Sequence, residues 1–381
     1  MPKKKTRVAF CMRDMQLGGA EAVLVRTLEG LMKRGDLDIS IVSYVDITES
    51  IYKNWLAQHF EIKHVVLYPC SWLGTKLKRF FLVRIFQHLL RDVYRFGRRA
   101  LFNDSVWQNY DVIVDYYDFG FHQELKKVQK QKIAWWHSSV NKFVSGAKNY
   151  TKYLESYDKF VALTDGFVDD FKKQWTQFAD KILRVYNPLN VADIVSRAES
   201  GDVFPGNYFV SVARLSADKD VVTVLHAFDK FYLDNNNPAA RLVLVGGGDI
   251  DKYRKIADKC IASKNIVFLG AQSNPFGYMR GALANILSSY SEGLPTVLLE
   301  SIAVKTLNIA SDCKNGPREI LLDGKAGLLY VPGDVDGLAQ HMSDVWQNKT
   351  PTKRMIDTAS KSLDRFDVKN IVAQVLDLFT H

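Results

Sequence analysis

Short apolar runs recur along the chain, each bounded by polar or turn residues and separated by stretches of helical periodicity. Runs of this kind are typical of strands buried on both faces of a parallel sheet. The pattern predicts seven strands before residue 188, at 6–12, 39–45, 62–67, 111–115, 132–136, 159–163 and 181–186. It predicts six more after it, at 207–213, 241–245, 265–269, 284–288, 307–311 and 326–331. The fold class predicted is therefore α/β.

The dipeptide Asn187-Pro188 separates the two series of strands. A chain of 381 residues has room for two domains of ordinary size. We expect a doubly wound domain over 1–188, a second over 189–360, and a C-terminal helix over 361–381 that packs back toward the first. Ligands of open α/β sheets bind beyond the carboxyl ends of the strands, so the expected site is a cleft between the two domains.

Composition narrows the class of protein. Apolar residues make up 47% and charged residues 24% of the chain, which is typical of a globular domain and not of a disordered one. The four cysteines form no C-x-x-C pair, so neither a disulfide scaffold nor a structural zinc is expected. No signal peptide and no apolar run of about 18 residues is found. We expect a cytoplasmic protein.

The net charge of +9 lies entirely within residues 1–200. Segment 76–99 carries eight basic residues against Asp92, interleaved with aromatic and aliphatic ones. Four of its arginines share one helical stripe: Arg84, Arg91, Arg95 and Arg98. One hypothesis is an interfacial helix on an anionic membrane; the other is a solvated helix whose apolar face enters the core. No nucleic-acid recognition motif accompanies the charge, so a nucleic-acid partner is not expected.

Two groups of glycines follow predicted strands. Gly18 and Gly19 precede a helical pattern, and Gly246-Gly247-Gly248 follows the strand at 241–245. Glycine lets the backbone approach an anion closely, and a helix N-terminus offers free N–H groups to it. An ordinary tight turn explains either group equally well.

Two cations, Arg214 and Lys219, follow the strand at 207–213. At a strand's carboxyl end they suit a diphosphate, because arginine binds it through a bidentate fork and lysine as a point charge. The alternative is a solvated lysine and an arginine paired with Asp218 or Asp220.

Segment 290–304 places two glutamates eight residues apart. Glu292 is predicted in the loop after the strand at 284–288, Pro295 in the first turn of the next helix, and Glu300 inside that helix. This spacing separates the carboxylates along a ligand, where each can accept hydrogen bonds from sugar or ribose hydroxyls. Two surface glutamates remain the alternative.

In chain order, these motifs resemble a retaining glycosyltransferase of family 4 with the GT-B fold. The resemblance is carried by Arg214 with Lys219, Gly246-Gly247-Gly248, Glu292-x7-Glu300, and the run Ser311–Ile320. It is closest over 205–335. The first domain matches more thinly, through Gly18-Gly19-Ala20-Glu21, His137 and Asn187-Pro188.

The resemblance implies a role for each matched residue. Arg214 and Lys219 would hold the donor diphosphate, and Glu300 would bind the ribose hydroxyls. Glu292 and His137 would reach the transferred sugar, which makes Glu292, Arg214, Lys219 and His137 the expected catalytic residues. The remaining binding positions would be backbone: Gly18, Gly19, Gly246, Gly293, Leu294, Pro295, Thr296 and Val297.

The implied reaction is transfer, with retention, of a hexose or N-acetylhexosamine from a nucleotide diphosphate sugar. UDP is favoured over GDP, and the acceptor would be a glycan or lipid-linked glycan in cell-surface polysaccharide assembly. No cofactor and no metal are expected, because cations replace the metal. Docking at the inner face of the membrane would use segment 76–99. The alternatives are a non-catalytic nucleotide or carbohydrate binder, and a sugar-nucleotide epimerase or phosphorylase of the same fold.

The chain departs from the family pattern at two turns. Asp220 follows Lys219 where glycine is usual, and Ala303–Leu307 replaces a Gly-x-Pro-Val run, which is expected to put Lys305 near the cleft. A separate question concerns four aromatic residues at strand ends in the first domain, which either stack on sugar rings or belong to the core: Tyr116, Tyr117, Trp135 and Trp136.

Overall fold

The computed structural model describes residues 5–15, 19–67, 105–137, 150–236 and 239–379. Within them, all thirteen predicted strands are present, and they form two separate sheets in which every pairing is parallel. The chain divides into two compact units. The first unit holds the described residues up to Ala162, Val168–Val185, and those from Val372; the second holds Leu163–Phe167 and Tyr186–Ile371.

The first unit is built on a seven-stranded sheet with the order β3-β2-β1-β4-β5-β6-β7. Its strands are β1 (Thr6–Met12), β2 (Leu37–Ser43), β3 (Lys63–Val66), β4 (Val112–Asp115), β5 (Gln131–Trp135), β6 (Lys159–Ala162) and β7 (Ile182–Arg184). The helices of this part of the chain are α1 (Gly19–Met32), α2 (Ser50–Gln58), α3 (Ser105–Gln108), α4 (His122–Leu125), α5 (Tyr150–Leu154) and α6 (Asp165–Gln174). The first residues of α6 group with the second unit.

The second unit is built on a six-stranded sheet with the order β10-β9-β8-β11-β12-β13. Its strands are β8 (Tyr208–Val212), β9 (Arg241–Val245), β10 (Ile266–Gly270), β11 (Ala284–Leu287), β12 (Asn308–Ser311) and β13 (Leu328–Tyr330). Its helices are α7 (Val191–Glu199), α8 (Val221–Asn235), α9 (Ile250–Ala257), α10 (Phe276–Arg280), α11 (Thr296–Ala303), α12 (Pro317–Ile320), α13 (Val335–Trp346) and α14 (Thr352–Lys361).

The strands follow from apolar residues on both of their faces. The last five residues of β1 are completely buried, and β1 lies between β2 and β4 in its sheet. In the second unit, helices cover the sheet: Phe228 and Phe231 of α8 pack in one cluster with Phe209 of β8. Continuous apolar strands of this kind are stable only when both faces of the sheet are covered.

Burial settles the role of three aromatic residues in the first unit. Tyr116, Trp135 and Trp136 are at most 1% exposed, and Trp136 lies 6.0 Å from Phe160 and 5.2 Å from Phe171 between ring centroids. Stacking on a sugar is therefore wrong for these three, because no ring surface is left to meet a ligand. Tyr117 is half-buried.

The helix α15 (Val368–Phe379) ends the described chain. Its residues from Val372 group with the first unit, where the carbonyl oxygen of Leu378 accepts hydrogen bonds from Gln131 Nε2 and Lys159 Nζ, each at 2.9 Å. These donors satisfy a carbonyl that a helix C-terminus leaves unpaired. The last turn of α15 is thus tied to the starts of β5 and β6.

Segment 76–99 and Gly18 lie outside the described residues. Among the described helices, none combines the length and the apolar character needed to cross a bilayer. Cys11, Cys260 and Cys313 are buried free thiols.

Asp115 organises the turn that follows β4. This carboxyl group is completely buried and accepts hydrogen bonds from Tyr157 Oη at 2.6 Å and from the Phe121 backbone N–H at 3.0 Å. The turn it holds includes Asp118 and Phe119, both at positive φ. Burial raises the pKa of Asp115 from 3.8 to about 7, although both hydrogen bonds act in the opposite direction.

We expect Asp115 to make stability depend on pH. Because its folded pKa lies above its unfolded value, its contribution is complete below about pH 4 and is lost as the pH rises through about 7. Thermal unfolding of wild type should therefore show a larger loss of stability from pH 5 to pH 8 than unfolding of Asp115→Asn, which cannot ionise. The exposed Asp36→Asn serves as the control and should keep the wild-type slope. Equal slopes for wild type and Asp115→Asn would contradict the assignment.

Candidate functional site

The predicted donor-site residues of the second unit gather at the carboxyl edge of its sheet. The strands β8, β11 and β12 are consecutive neighbours in this sheet, so the loops that follow them emerge side by side. These loops carry Arg214 and Lys219, then Glu292, then the segment 312–316. Parallel strand ends thus bring together residues that are about 100 positions apart in the sequence.

Lys219 and Glu292 form an ion pair. Lys219 Nζ lies 2.5 Å from Glu292 Oε1, and the side chains are 20% and 12% exposed. A solvated lysine, the alternative raised by the sequence, is therefore wrong. Arg214 is exposed in the same loop. The site thus combines an accessible guanidinium with an ammonium whose partner is a largely buried carboxylate.

Three serines that sequence reasoning missed hold this pair. Ser289 Oγ donates to Glu292 Oε1 at 2.5 Å, and Ser288 Oγ donates to the carbonyl oxygen of Lys219 at 2.6 Å. Ser311, at the end of β12, donates to the carbonyl oxygen of Ser289 at 2.7 Å. The signal in the sequence was a run of polar residues directly after an apolar strand.

Cys313 lies close enough to the pair to sense its charges. The thiol is 4% exposed, and burial together with the negative charge of Glu292 raises its pKa to about 12, with Lys219 acting in the opposite direction. The thiol therefore stays protonated at neutral pH, and it is not a nucleophile there.

The glycine loop after β9 is shaped by close backbone contact. A Cβ atom at Gly246 would lie 1.8 Å from the carbonyl oxygen of Ala213, and one at Gly248 would lie 2.3 Å from that of Leu215. Gly247 accepts a hydrogen bond from the Leu215 N–H at 2.7 Å. These glycines are required because the loop packs directly on the backbone of the segment that carries Arg214.

The helix α11 begins at Thr296, so Pro295 occupies its N-cap position. The sequence predicts Pro295 in the first turn, and this prediction is wrong by one residue. The side chain of Pro295 makes no capping hydrogen bond at this N-terminus. Glu300 lies half-buried inside the helix. Gly316 packs against the loop before the helix, since a Cβ there would lie 2.4 Å from Pro295 Cδ. The loop that carries Glu292 and Gly293 is thereby held at the helix N-terminus.

His137 and Gly19 belong to the first unit. His137 follows β5, and its backbone N–H donates to Asp118 Oδ1 at 2.7 Å. Burial lowers the pKa of His137, while the Asp118 carboxylate opposes that shift, so the imidazole is neutral at pH 7. Its Nε2 is buried and has no hydrogen-bond partner in the described part of the chain. Gly19 begins α1.

The two departures from the family pattern have one geometric explanation. Asp220, where the family resemblance has glycine, stands at φ +45°, and Lys305, inside the run that replaces Gly-x-Pro-Val, stands at φ +59°. Asp220 stabilises its conformation by accepting a hydrogen bond from Thr223 Oγ1 at 2.6 Å, as aspartate does in caps.

Lys305 lies at the edge of the second sheet opposite the one that carries Arg214, Lys219 and Glu292, so it does not join the predicted donor-site residues. It follows the C-terminus of α11, which runs from the carboxyl edge back toward the start of β12 at Asn308. The N–H groups of Lys305 and Thr306 donate to the carbonyls of Ile302 and Ser301 at 3.0 Å each, the pattern of a Schellman motif.

Within the described ranges, no group of three or more His, Cys, Asp or Glu side chains is arranged to hold a metal ion.

Comparison with known proteins agrees with this geometry. Residues 196–362 match the family model described as glycosyl transferases group 1. The chain is 27% identical over 208 residues to a Campylobacter jejuni protein named GalNAc-α-(1→4)-GalNAc-α-(1→3)-diNAcBac-PP-undecaprenol α-1,4-N-acetyl-D-galactosaminyltransferase. It is 25% identical over 224 residues to the lipopolysaccharide 1,6-galactosyltransferase of Salmonella typhimurium. These alignments cover 54% and 58% of this chain, and 56% and 60% of the two relatives.

Solved structures show the same fold. Anabaena HepE, crystallised with UDP, superposes with a TM-score of 0.76 at 16% identity, over 98% of this chain and 99% of its own. The chain therefore has the GT-B fold of two Rossmann-like domains, as predicted. Its segment 196–362 matches the family model of the glycosyl transferases group 1, which confirms the resemblance drawn from the motifs.

We expect Lys305→Gly to stabilise the protein. A non-glycine residue at left-handed φ costs about 1 kcal/mol, which glycine avoids, and the Lys305 side chain is exposed. The thermal midpoint should rise for Lys305→Gly and stay unchanged or fall for Lys305→Ala, which removes the charge but keeps the strained conformation. An equal rise in both variants would show that charge, not φ, sets the stability at this position.

Proposed function

We propose that this protein is a retaining glycosyltransferase. It transfers a hexose or N-acetylhexosamine from a UDP-sugar to a glycan or lipid-linked glycan in cell-surface polysaccharide assembly. The observation that carries the proposal is the Lys219–Glu292 ion pair beside Arg214 at the carboxyl edge of the second sheet. The match of the segment around it to the family model of the glycosyl transferases group 1 supports the same reaction class.

The charges fit the departure of a diphosphate. Breaking the bond between the anomeric carbon and the phosphate oxygen develops positive charge on the sugar and negative charge on the leaving group. Arg214 and Lys219 stabilise that negative charge, and cations placed for the transition state contribute more to rate than to ground-state binding. In this proposal no metal is required, because these two cations take its place.

The two glutamate carboxylates bind the hydroxyl groups of the donor. Glu292 accepts hydrogen bonds from hydroxyls of the transferred sugar, and Glu300 accepts them from the ribose. Between them, the N-terminus of α11 offers the N–H groups of Thr296 and Val297 to a phosphate. The backbone of Gly293, Leu294 and Pro295 lines the same position, and the backbone of Gly246 is the further binding position that the family resemblance implies.

Retention of configuration follows if the acceptor attacks the face from which the diphosphate departs. The leaving phosphate oxygen then accepts the proton of the attacking hydroxyl, and neither Lys219 nor Arg214 has to act as a base.

Residues 189–360 supply the donor site in this proposal. Residues 1–188 supply the acceptor site, with His137 and the backbone of Gly18 and Gly19 reaching the donor, and 361–381 serve as the helix that returns to the first domain.

UDP is favoured over GDP by similarity. HepE has been crystallised with UDP and with UDP-glucose, although at 16% identity this likeness shows the fold alone. The names of the Campylobacter and Salmonella relatives describe transfer of N-acetylgalactosamine and galactose. The Campylobacter relative acts on a sugar linked through diphosphate to undecaprenol, which makes a lipid-linked acceptor the preferred choice here.

Calorimetric titration with UDP and with GDP, in EDTA and without added metal, tests the donor site. We expect wild type to bind UDP. Arg214→Ala and Lys219→Ala should each weaken UDP binding by about 10-fold or more, since a hydrogen bond to a charged group contributes about 1.5–3 kcal/mol.

The matched control is Arg354→Ala, which removes an exposed arginine from α14 of the same unit and should bind UDP like wild type. Tight binding without turnover of any UDP-sugar would favour the non-catalytic binder. Binding of neither nucleotide by wild type would refute the transferase.

We also propose that segment 76–99 docks the protein on an anionic membrane surface at the inner face of the cell membrane. The proposal rests on the eight basic residues of this segment and their apolar neighbours in the sequence. Each basic residue near an anionic surface contributes about 1 kcal/mol, and lipid-linked acceptors would then be reached at the membrane itself.

Flotation with vesicles of phosphatidylcholine and roughly 30% phosphatidylglycerol tests this docking. Binding should fall steeply as salt rises from about 0.1 to about 1 M, because the Debye length shortens from ~10 to ~3 Å. It should also fall when Arg84, Arg91, Arg95 and Arg98 are changed to Gln. The control removes the same number of exposed charges from the second unit: Lys252, Lys255, Lys259 and Lys264. Equal losses in both variants, or binding unchanged by salt, would rule out this segment as the membrane contact.

A further inference from the structure

Ser289 has the geometry of a residue that orients a carboxylate. Its hydroxyl donates to Glu292 Oε1 at 2.5 Å, three residues along the same loop. Ser289 is completely buried, so it cannot itself contact a donor bound in an open site. Any effect it has on a bound sugar must therefore pass through Glu292.

The backbone of Ser289 is held from a second strand. Ser311 Oγ, at the end of β12, donates to the Ser289 carbonyl oxygen at 2.7 Å. On the other side, the N–H of Tyr290 donates to the carbonyl oxygen of Asp218 at 3.1 Å. The hydroxyl of Ser289 thus projects from a point fixed by the loops of β8 and β12, and its position does not depend on the side chain of Glu292.

The two donors to Glu292 meet the same oxygen. Lys219 Nζ and Ser289 Oγ contact Oε1, each at 2.5 Å, and within the described residues Oε2 accepts no hydrogen bond. One carboxylate oxygen is thereby anchored while the other is left to accept from a ligand hydroxyl. In the proposed function, however, Lys219 also moves its ammonium group toward the diphosphate of the donor.

We infer that Ser289 is the positioning residue for Glu292, and that it keeps this carboxylate oriented toward the transferred sugar once Lys219 engages the diphosphate. The inference rests on the proposed function, because it assigns Glu292 to the sugar and Lys219 to the leaving group. The two contacts to Glu292 Oε1 then have different roles. The contact with Lys219 changes when the donor binds, and the contact with Ser289 does not.

The separation predicts a selective defect in Ser289→Ala. UDP, which lacks the sugar, should bind this variant within about twofold of wild type. The kcat/KM for a UDP-hexose should fall about 10-fold or more, since the lost contact is a hydrogen bond to a charged group. The probe is whichever of UDP-glucose, UDP-galactose and their N-acetyl counterparts wild type turns over.

Two further variants separate orientation from folding. Ser343→Ala removes another buried serine of the same unit, one that donates to Ala339 at 3.0 Å in α13, and it should leave both UDP binding and kcat/KM unchanged. Ser289→Cys replaces the hydroxyl with a somewhat larger thiol that is a weaker donor, so its kcat/KM should lie between those of wild type and Ser289→Ala.

The outcomes distinguish this inference from the proposed function. If wild type binds no UDP and turns over no UDP-hexose, the proposed transferase function is refuted, and the role of Ser289 is refuted with it. If wild type is active but Ser289→Ala loses UDP binding and kcat/KM equally, or loses neither, the transferase stands and the positioning role is wrong. A loss confined to the sugar-bearing substrate establishes it.

Discussion

Parallel strands can be joined only by crossovers, and each crossover must return the chain to the opposite edge of the sheet before the next strand begins. Both units obey this constraint in every strand pairing. All loops that leave the carboxyl ends therefore collect at one edge, and all returns collect at the other. This arrangement places Lys219 beside Glu292. It places Lys305 at the opposite edge of the sheet, although Lys305 is closer to Glu292 in the sequence than Lys219 is.

A largely buried charge is tolerated only when it is paired and its remaining bonding capacity is satisfied. The Lys219–Glu292 pair meets this condition with help from serines, whose small hydroxyls fit between strand ends that lie side by side. The neighbouring Cys313 thiol stays protonated because burial and the Glu292 charge both disfavour a second anion. The serines thus hold Glu292 in place before any ligand is bound, which reduces the reorganisation that this carboxylate requires on binding.

Backbone geometry constrains the same edge as firmly as charge does. Gly246 and Gly316 permit approaches that a Cβ atom would forbid, so the loops of β8, β9, β11 and β12 pack on one another through their backbones. At the two departures from the family pattern, Asp220 and Lys305 adopt left-handed φ values, the first supported by a hydrogen bond from Thr223. The fold therefore tolerates a change of residue at a turn more readily than a change of the turn itself.

The sequence alone determined the α/β class and all thirteen strands, because buried parallel strands have a local apolar signature. It also singled out the motifs around Arg214, Lys219 and Glu292, because each motif is contiguous in the chain. It left open whether Lys219 is solvated, whether Trp135 and Trp136 face a ligand or the core, and where Lys305 lies. Only the tertiary structure decided these points, since each depends on a residue's neighbours in space, which come from distant strands. The roles of Ser289 and Ser311 belong to the same category: a serine after a strand is ordinary until the partner of its hydroxyl is known.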